Sequence, residues 1–382
     1  MITHAYTVIS DIEVRISVYS PGTPSGRKEA HVTLVPVAGS EGSVSDQLNR
    51  IVSAYDEAMC SYRVDGCAAV MKRVFLSDVA NQAQEAFDVL SVLPGALSVI
   101  GQCPCRQGVK AALLIIMTAG VVPDSTGNVT VVRRTPYTDI WTMSLTAHGD
   151  SYQATHDIFS SYISSLAPLR LSCECKRTWL YMRDIDTRYA GMVKARNEVF
   201  REHGLTPSHG FIASTGIEGA SSDREALVTL DAFAVDGLEK GQTRHLSALG
   251  SLNATTDYGV AFERATAISY GDRTHIIDSR TASIGPDGQI VAPGDVAMQT
   301  RRAVSNIEAL LADGGGALAD IVHAVVYVRD PSDAGVVSHI VAERLSDAPF
   351  VTVHAPVCRP GWLVEIECMA ITDAGDPAYA DY

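Results

Sequence analysis

Two glutamates that stand two positions apart, Glu365 and Glu367, lie in an apolar run near the end of the sequence. Side chains at positions i and i+2 of a β-strand point to the same face of the sheet. Neighbouring carboxylates in apolar surroundings repel each other, so we expect one pKa to rise into the range of a general acid near neutral pH. The alternative is a carboxylate that faces solvent or pairs with an arginine. We assign both glutamates as catalytic candidates, with Glu365 as the acid.

Three arginines are candidates for binding a carboxylate-bearing ligand. Arg359 lies in the CRPGW turn that leads into the same strand, Arg280 follows an apolar run, and Arg196 lies in a helical segment beside apolar residues. A guanidinium group binds a carboxylate through two parallel hydrogen bonds, which fixes the orientation of the ligand. The alternatives are side chains that point to solvent, or, for Arg196, an aliphatic stem that covers the apolar face of its helix.

A second group of residues is expected near the same pocket. His354 lies on the preceding strand, where a histidine is more often packed and hydrogen-bonded than catalytic. Cys358 has no evident base partner in the sequence, and an unactivated thiol is a weak nucleophile. Ser214, Thr215 and Gly216 form a small-residue strand end whose backbone N–H groups could hold an anion; the alternative is a plain β-turn. We include all five as ligand-binding candidates.

The charge distribution narrows the class of partner. The 382 residues carry a formal net charge of −14 without clusters of lysine or arginine. Nucleic-acid binding requires a basic surface that neutralises phosphates, so we expect no nucleic-acid partner. No apolar run reaches the roughly 18–20 residues of a membrane span, and the first residues lack the basic and apolar regions of a signal peptide. We therefore expect a cytoplasmic protein with a small-molecule carboxylate ligand and no membrane partner.

The cysteines indicate packing rather than metal binding. There are eight, including the pairs Cys103/Cys105 and Cys173/Cys175. Structural zinc sites usually have two or more residues between paired cysteines and a second cluster of ligands, whereas C-x-C in a strand places two small side chains on one face. The sequence also lacks the glycine-rich nucleotide-binding motifs and the paired histidines of metal sites. We predict no metal and no cofactor.

The chain contains an internal repeat. Segments that start at Ala68, Lys176 and Asp320 each read as an apolar β-rich run, a polar break and an amphipathic helix. A further helical pattern precedes each segment, at Val44–Met59, Tyr152–Leu166 and Val296–Leu311. A strand pair is expected to close each unit: Ala96–Gly101 with Val109–Met117, Gly210–Gly216 with Ala226–Val235, and Phe350–Ala355 with Leu363–Thr372. Because order and lengths recur together, we favour triplication over generic α/β alternation.

The repeat predicts an α/β (α+β) chain of three tandem modules, each β-α-β-α-β-β, with a mixed sheet and helices on one face. The modules span residues 30–124, the most diverged copy, 136–237 and 259–373. Residues 1–30 and 374–382 are expected to be peripheral.

The three modules differ at the positions of the two glutamates. The second has Thr229 and Asp231 there, and we place Ala111 and Leu113 at these positions in the first. The third module therefore retains the most ionisable chemistry.

The third module resembles the Rid/YjgF family over its whole length. The segments that carry the resemblance are FERATAISYGDRTHIIDSRTASI, GQIVAPGDVAMQTRRAVSNIEALLADGGG, DIVHAVVYVRD and VCRPGWLVEIECMAI. The resemblance implies a chorismate-mutase-like fold. Members of the family are typically trimers with ligand pockets between subunits, so three copies in one chain imply an intramolecular pseudo-trimer. Such a chain is expected to be a monomer or a weak homo-oligomer.

The second and third modules together resemble the chorismatases, which hydrolyse chorismate. The matching segments are TWLYMRDID, YAGMVKARNEVF, STGIEG and HAPVCRPGWLVEIECM. Chorismatases bind the carboxylates of the substrate with an arginine of the middle-domain helix and an arginine before the last strand. They use a glutamate of the last strand as the catalytic acid. The resemblance implies these roles for Arg196, Arg359 and Glu365.

The chain departs from these families at three places. Residues 218–221 replace the histidine- and glycine-rich turn of chorismatases, and Arg280 stands where Rid-like sequences usually have glycine or alanine. Residues 350–352 lack the carboxylate-binding arginine of imine deaminases. The expected function is a cofactor-free hydrolase or lyase for a small unsaturated carboxylate, such as chorismate or a related enol ether. The alternatives are a Rid-type enamine or imine hydrolase and a non-catalytic small-molecule-binding protein.

Overall fold

The structure, a computed structural model, describes residues 1–62, 64, 66–255 and 259–382, except for the side chain of Cys173. These residues form three mixed β-sheets, one after another along the chain. Helices cover one face of each sheet, and the opposite faces of all three sheets meet in a shared apolar core.

The first sheet contains six strands in the order β1-β2-β3-β6-β4-β5. Its module consists of β1 (Ile2–Ile9), β2 (Ile12–Tyr19), β3 (Glu29–Pro36), α1 (Val44–Ser61), β4 (Cys67–Leu76), α2 (Val79–Leu90), β5 (Ala96–Gly101) and β6 (Ala111–Ala119). A capping box of Ser43 and Asp46 begins α1, because each side chain accepts a hydrogen bond from the backbone of the other residue. The apolar faces of α1 and α2 are buried in a core under this sheet.

The second sheet has the strand order β11-β10-β12-β9-β8-β7. Its module consists of β7 (Asp124–Thr126), β8 (Val129–Arg133), β9 (Thr138–Ala147), α3 (Ser151–Leu166), the single turn α4 (Leu171–Glu174), β10 (Cys175–Met182), α5 (Ile185–Glu202), β11 (Ala213–Glu218) and β12 (Val228–Asp236). Asp150 begins α3 by accepting hydrogen bonds from two backbone N–H groups of its first turn.

The third sheet has the order β13-β14-β15-β19-β17-β18, and the short strand β16 also pairs with β19. Its module consists of β13 (Thr243–Leu246), β14 (Ala265–Ser269), β15 (Thr274–Asp278), β16 (Thr281–Ala282), α6 (Val296–Asp313), β17 (Ile321–Val328), α7 (Ala334–Leu345), β18 (Phe350–His354) and β19 (Val364–Thr372). From β3, β9 and β15 onwards the modules follow the predicted order β-α-β-α-β-β, apart from the single turn α4 and the short strand β16, and each module has additional strands before this point.

The last strand of each module does not pair with the strand before it. In the three modules β6, β12 and β19 run antiparallel to β4, β10 and β17, which separate them from β5, β11 and β18. The latter strands are parallel to the middle strands and follow them through a helix, as a parallel connection requires. The two closing strands of each unit are thus present, but the predicted pairing between them is wrong, because the middle strand lies between them.

The sheets extend beyond the predicted module bounds. Strands β1 and β2 precede residue 30 and belong to the first sheet, β7 and β8 precede residue 136, and β13 precedes residue 259. The expectation that residues 1–30 are peripheral is wrong, because β1 and β2 pair in register from Ile2–Tyr19 to Ile9–Ile12. At the other end Tyr382 is buried. The module bounds themselves stay a prediction.

Backbone hydrogen bonds join the three modules in a closed ring. The contacts are Gly101 N–H to Ala220 O at 2.8 Å, Glu218 N–H to Pro356 O at 3.1 Å, and His354 N–H to Cys103 O at 2.8 Å. In each contact the end of a parallel strand bonds to the loop that follows the equivalent strand of another module. Every module therefore contacts both of the others in the same way. This arrangement confirms the predicted pseudo-trimer of three tandem modules.

The strand registers identify the positions equivalent to the two glutamates. Opposite the middle strands, the equivalents of Glu365 and Glu367 are Thr229 and Asp231 in the second module, and Ala112 and Leu114 in the first. The assignment of Ala111 and Leu113 is therefore wrong by one residue. A shift of one residue exchanges the two faces of a strand: Leu113 packs under the helices, whereas Leu114 faces the shared core.

Two features are absent from the part of the chain that the structure describes. None of its helices is long and apolar enough to cross a membrane. No group of three or more histidine, cysteine, aspartate or glutamate side chains there is arranged to hold a metal ion. Several ionisable side chains of the interior are instead paired, as at Arg73 and Asp231, which lie 3.0 Å apart.

Candidate active site

Glu365 lines a pocket at the boundary between the second and third modules. It is the second residue of β19 and is 1% exposed. The other lining residues are Tyr189, Val260, Phe262, Arg264, Arg280, Ala282, Ile284, Cys358, Arg359 and Trp362. Tyr189 lies on α5 of the second module, so this helix closes the pocket from across the module boundary.

Arg280 points into the pocket and bonds directly to Glu365. Its Nη1 donates to Oε1 of Glu365 at 2.5 Å, and its Nη2 donates to the hydroxyl of Tyr189 at 3.2 Å. The backbone N–H of Arg280 donates to the hydroxyl of Thr215 at 3.3 Å, which holds the base of the side chain against β11. Its Nε is buried without a hydrogen-bond partner. Arg280 thus connects α5, β11 and β19.

The carboxyl group of Glu365 has a raised pKa. Burial is the largest cause, and the positive charges of Arg280, Arg264 and Arg359 oppose it only in part. Its Oε2 is buried without a hydrogen-bond partner, so one half of the carboxylate lacks donors that would stabilise its charge. Repulsion from Glu367, which the sequence suggested, is not among the main causes. A raised pKa is the property that a general acid near neutral pH requires.

Arg196 lies on α5 beside this pocket and is 1% exposed. Its Nε and Nη2 have no hydrogen-bond partner. Burial is the main cause that lowers the pKa of its guanidinium group; Tyr189 acts in the opposite direction, and the like charge of Arg280 adds to the lowering. Buried charges in proteins are normally paired. Two unpartnered nitrogens on a buried cation therefore mark Arg196 as a candidate for binding an anion.

Cys358 belongs to the pocket wall as a neutral thiol. Burial is the main cause that raises its pKa; the positive charge of Arg280 lowers it, and the negative charge of Glu365 raises it further. The thiolate is the nucleophilic form of cysteine, and a raised pKa disfavours it. Nucleophilic catalysis by Cys358 is therefore unfavourable in this environment.

Two more arginines lie around the pocket. The guanidinium carbon of Arg359 is 4.9 Å from the centre of the Trp362 ring, which is a cation–π distance. Arg264 is 6% exposed, and its Nη2 donates to the backbone and side-chain oxygens of Asn253 at 3.1 and 2.9 Å. Both positive charges act on the carboxyl group of Glu365.

Two pocket residues were not singled out by sequence analysis, although the sequence carried a signal for each. Tyr189 precedes Arg196 by seven residues, which places both on one face of a helix. Arg264 directly precedes β14, whose first residue pairs with the last residue of β15. Arg264 and Arg280 therefore lie at the same edge of the sheet, where charged residues at strand ends converge.

Glu367 belongs to a different cluster, in the shared core. Its donors are Nη2 of Arg177 at 2.7 Å, Nε1 of Trp179 at 2.8 Å and the hydroxyl of Thr215 at 2.6 Å. Arg73 lies 3.8 Å from Glu367 and 3.0 Å from Asp231. Two guanidinium groups thus face two carboxylates. Although Glu365 and Glu367 share a face of β19, Glu367 does not line the Glu365 pocket.

Ser214, Thr215 and Gly216 lie inside β11 rather than in a turn at its end. The N–H of Ser214 donates to the hydroxyl of Ser279 at 2.9 Å. A Cβ atom at Gly216 would lie 2.9 Å from the side chain of Met192, so the glycine lets α5 pack closely on the strand. The three residues therefore support the fold here, and the hydroxyl of Thr215 connects them to the pocket through the N–H of Arg280.

His354 ends β18 and lies outside the Glu365 pocket. It lines a wide, open cleft together with the first residues of α2 and α5. The equivalent residue of the second module, Glu218, accepts hydrogen bonds from the N–H groups of Asp184 and Ile185 at 3.0 and 2.7 Å, which stabilises the start of α5. His354 and Cys358 are close in the sequence, but the segment between them forms one of the contacts that close the ring of modules. The two residues therefore line different pockets.

The Glu365 pocket is narrow. Its free volume is about 20 Å³, which is room for roughly one water molecule. The side chain of Arg280 bonds to Glu365 on one side and to Tyr189 on the other, and so occupies the space between them. A ligand larger than water therefore requires side chains of the pocket to move, and that of Arg280 lies between two of the lining residues.

Three modules closed into a ring, with a carboxylate–arginine pocket between two of them, define a pseudo-trimeric α+β protein with an interface site. Residues 279–372 match the family model described as endoribonuclease L-PSP. A RutC family protein of Pyrococcus abyssi is 30% identical over 89 residues, which are 23% of this chain and 70% of that protein. The chain belongs to this family, the Rid/YjgF (RutC) family, and is a long form with three modules.

The long form resembles the chorismatases. A chorismatase of Streptomyces rapamycinicus is 31% identical over 210 residues, which are 50% of this chain and 62% of that protein. The chain thus matches less than two thirds of the length of this relative. A chorismatase crystal structure has a TM-score of 0.62 at 20% identity and covers 79% of this chain and 93% of its own. The latter likeness shows a common fold.

Proposed function

We propose that the protein is a cofactor-free hydrolase of the chorismatase-like type. It acts on a small unsaturated metabolite with carboxylate groups, such as chorismate or a related enol ether. The observation that supports this most directly is the environment of Glu365, a buried carboxyl group with one unpartnered oxygen beside several arginines. The resemblance to a chorismatase over half of the chain adds to this support.

The charge of the site favours an anionic ligand. Arg196, Arg264, Arg280 and Arg359 supply four positive charges in or beside a pocket in which Glu365 is the one carboxylate among the described lining residues. Like charges in a buried site repel each other, and a ligand with carboxylate groups relieves that repulsion. The unpartnered Nε and Nη2 of Arg196 match the two oxygens of one carboxylate.

In the proposed reaction Glu365 donates a proton to the methylene carbon of an enol ether. The C=C electron pair forms the new C–H bond, and the adjacent carbon becomes an oxocarbenium ion. Water adds to that carbon and returns a proton to Glu365; the resulting hemiketal then breaks its C–O bond to give a ketone and an alcohol. The arginines orient the carboxylates of the substrate, and Glu365 supplies acid catalysis, which typically contributes about 10²–10⁴-fold.

Glu367 has a positioning role in this proposal. It accepts a hydrogen bond from Thr215, whose hydroxyl also accepts one from the backbone N–H of Arg280. Arg177 donates to both Thr215 and Glu367, so this arrangement is held firmly by charged hydrogen bonds. Glu367 therefore fixes the base of Arg280 and, through Arg280, the carboxylate of Glu365.

A Rid-type enamine or imine hydrolase remains the second candidate. Family membership favours it, and the arginines of the pocket provide an alternative to the carboxylate anchor that is missing at residues 350–352. Its product would be ammonia with a keto acid, whereas an enol-ether hydrolase releases pyruvate and an alcohol from chorismate. A non-catalytic binding protein would release none of these.

The test is an assay of the purified full chain with chorismate and, separately, with imines generated from amino acids. Pyruvate and ammonia are quantified by mass spectrometry and by a colorimetric assay, respectively. The proposal expects pyruvate from chorismate and none from Glu365→Gln. The matched control is Glu308→Gln, which removes a carboxylate from an exposed pair with Arg344 and is expected to retain wild-type turnover. Release of ammonia without pyruvate would reject the first candidate function and support the second.

A further inference from the structure

We infer that a carboxylate of the ligand replaces Glu365 as the partner of Arg280, and that Glu365 takes up one proton when the ligand binds. This inference rests on the proposed function in one respect, namely that the pocket receives a carboxylate. It adds a coupling between binding and catalysis, because the ligand itself converts Glu365 to the protonated form that an acid catalyst needs.

The first argument is spatial. The free volume of about 20 Å³ admits roughly one water molecule, and the guanidinium group of Arg280 lies between Glu365 and Tyr189. A ligand with several heavy atoms needs more room than this, and the guanidinium group of Arg280 is the side-chain group that bridges Glu365 and Tyr189 inside the pocket. Its two hydrogen bonds inside the pocket, at 2.5 and 3.2 Å, are the contacts that a movement of this group breaks. The base of the side chain stays in place because the backbone N–H bonds to Thr215.

The second argument concerns the charges that face Glu365. Arg280 lies between β15 and β16, Arg264 before β14, and Arg359 in the turn before β19; all three act on the carboxyl group of Glu365. Of these, Arg280 has the largest effect, and it donates the hydrogen bond to Oε1. The guanidinium group of Arg264 donates to Asn253, and that of Arg359 lies over the ring of Trp362.

The neighbouring groups that could titrate with Glu365 lie on α5 and in the turn before β19. Burial raises the pKa of the Tyr189 hydroxyl and of the Cys358 thiol, so both stay neutral near neutral pH. Arg196, on the same helix as Tyr189, is a cation, because an arginine side chain is effectively always protonated in proteins. Among the described residues of this pocket, Glu365 is therefore the group that can accept a proton near neutral pH.

The direction of the proton transfer follows from the opposing effects on Glu365. Burial favours its neutral form, and the hydrogen bond and charge of Arg280 favour its ionised form. When Arg280 turns to a ligand carboxylate, the effect of burial remains and the main opposing effect is weakened. The ligand also brings a negative charge next to Glu365, which again favours the neutral form. A proton from solvent then binds to Oε1 or Oε2 of Glu365.

The experiment is isothermal titration calorimetry of the full chain with benzene-1,3-dicarboxylate, a planar dicarboxylate that offers no bond to protonate. The titration is repeated near neutral pH in buffers with small and large enthalpies of ionisation, since the dependence of the measured heat on the buffer gives the number of protons exchanged. The inference expects uptake of about one proton per ligand bound by the wild type. The same uptake is expected for the control Glu308→Gln, which changes an exposed pair.

Two variants separate the role of Glu365 from its contribution to folding. Glu365→Gln should bind the dicarboxylate with no proton uptake. Arg280→Ala leaves Glu365 in place but removes the partner that lowers its pKa, so a larger fraction of Glu365 is protonated in the free protein and the proton uptake should decrease. Circular dichroism checks the fold of both variants.

The outcomes distinguish this inference from the proposed function. Binding without proton exchange, uptake that persists in Glu365→Gln, or absence of dicarboxylate binding by the wild type would each overturn the inference. Turnover of chorismate together with any of these results would leave the proposed function standing. Proton uptake on dicarboxylate binding without turnover of chorismate would support the inference and reject the proposed function.

Discussion

Arg280 donates to Glu365 at 2.5 Å inside the pocket between the second and third modules, while the other oxygen of Glu365 has no partner. This pair joins a cation that Rid-like sequences usually lack at this position to a carboxyl group whose raised pKa suits an acid catalyst. The three modules are not equivalent at this position, because the residues that correspond to Glu365 in the other two modules are a threonine and an alanine.

Replacement of the acid should strongly reduce turnover without unfolding the protein. For Glu365→Gln we expect kcat to fall by about 10²–10⁴-fold, which is the usual contribution of a positioned general acid. Turnover is measured as pyruvate release from chorismate, with Glu308→Gln as the matched control. Wild-type kcat in Glu365→Gln would show that this carboxyl group is not the acid.

Arg196 should contribute to substrate binding and should lower the stability of the folded protein. For Arg196→Met we expect KM to rise by about 10–100-fold, since a charged hydrogen bond contributes about 1.5–3 kcal/mol. The same variant should unfold at a higher temperature than the wild type, because it removes a buried cation with two unpartnered nitrogens. Thermal unfolding and steady-state kinetics measure the two effects, with Arg188→Met on the exposed side of α5 as the control. A lower unfolding temperature together with an unchanged KM would indicate a structural arginine.

Removal of Arg280 should move the pH profile. The charge and hydrogen bond of Arg280 lower the pKa of Glu365, so Arg280→Ala should raise it. Because the acid acts in its protonated form, the loss of activity on the basic side should shift to higher pH in this variant. The profile of kcat/KM against pH for both proteins measures the shift. A shift to lower pH would contradict the assigned pairing.

The buried network of the shared core should be essential for stability. Arg73→Met leaves Asp231 as a buried carboxylate without its main partner, and we expect a loss of about 3–5 kcal/mol in the free energy of unfolding. The control, Arg133→Met, breaks an exposed pair with Asp124 of the same 3.0 Å length and should lose about 0–1 kcal/mol. Urea denaturation compares the two; equal losses would contradict the account.

Two buried histidines should make the fold sensitive to acid. His31 contacts His323 at 2.8 Å, and burial lowers the pKa of His31 from 6.5 to about 4 and that of His323 well below its ordinary value. A lowered folded-state pKa means that the unfolded chain binds the proton more readily. The stability is therefore complete above pH 6.5 and declines towards pH 4, by about 1.4 kcal/mol per pH unit for each histidine. His31→Gln should flatten this decline in urea denaturation, whereas the exposed control His339→Gln should not.

The sequence predicted the features that depend on local pattern. Three repeats of one element order gave the modules, and the period of two along β19 placed Glu365 and Glu367 on one face. The hairpin of β1 and β2 was missed although two β-rich runs joined by Ser10-Asp11 are a local signal for it, whereas its pairing with β3 is not visible in its own residues. The one-residue error in β6 arose because an almost continuous apolar strand carries no alternation to fix its register.

The partners of the candidate residues could not be read from the sequence. Glu367 is held by Arg177 and Trp179, which are almost two hundred positions away and belong to another module. His354 seemed close to the pocket because it stands near Cys358 in the sequence, but the ring contact between modules directs the two residues to different clefts. Such relationships depend on how the three sheets close around their shared core, which a local pattern does not encode.

The most direct test of the central claim is hydrolysis of chorismate in D₂O, with the pyruvate trapped at once as lactate and analysed by mass spectrometry. Proton donation to the methylene carbon predicts one deuterium in the methyl group for the wild-type protein, and no product from Glu365→Gln. Pyruvate without deuterium in its methyl group, labelled pyruvate from Glu365→Gln at the wild-type rate, or no pyruvate at all would contradict acid catalysis by Glu365.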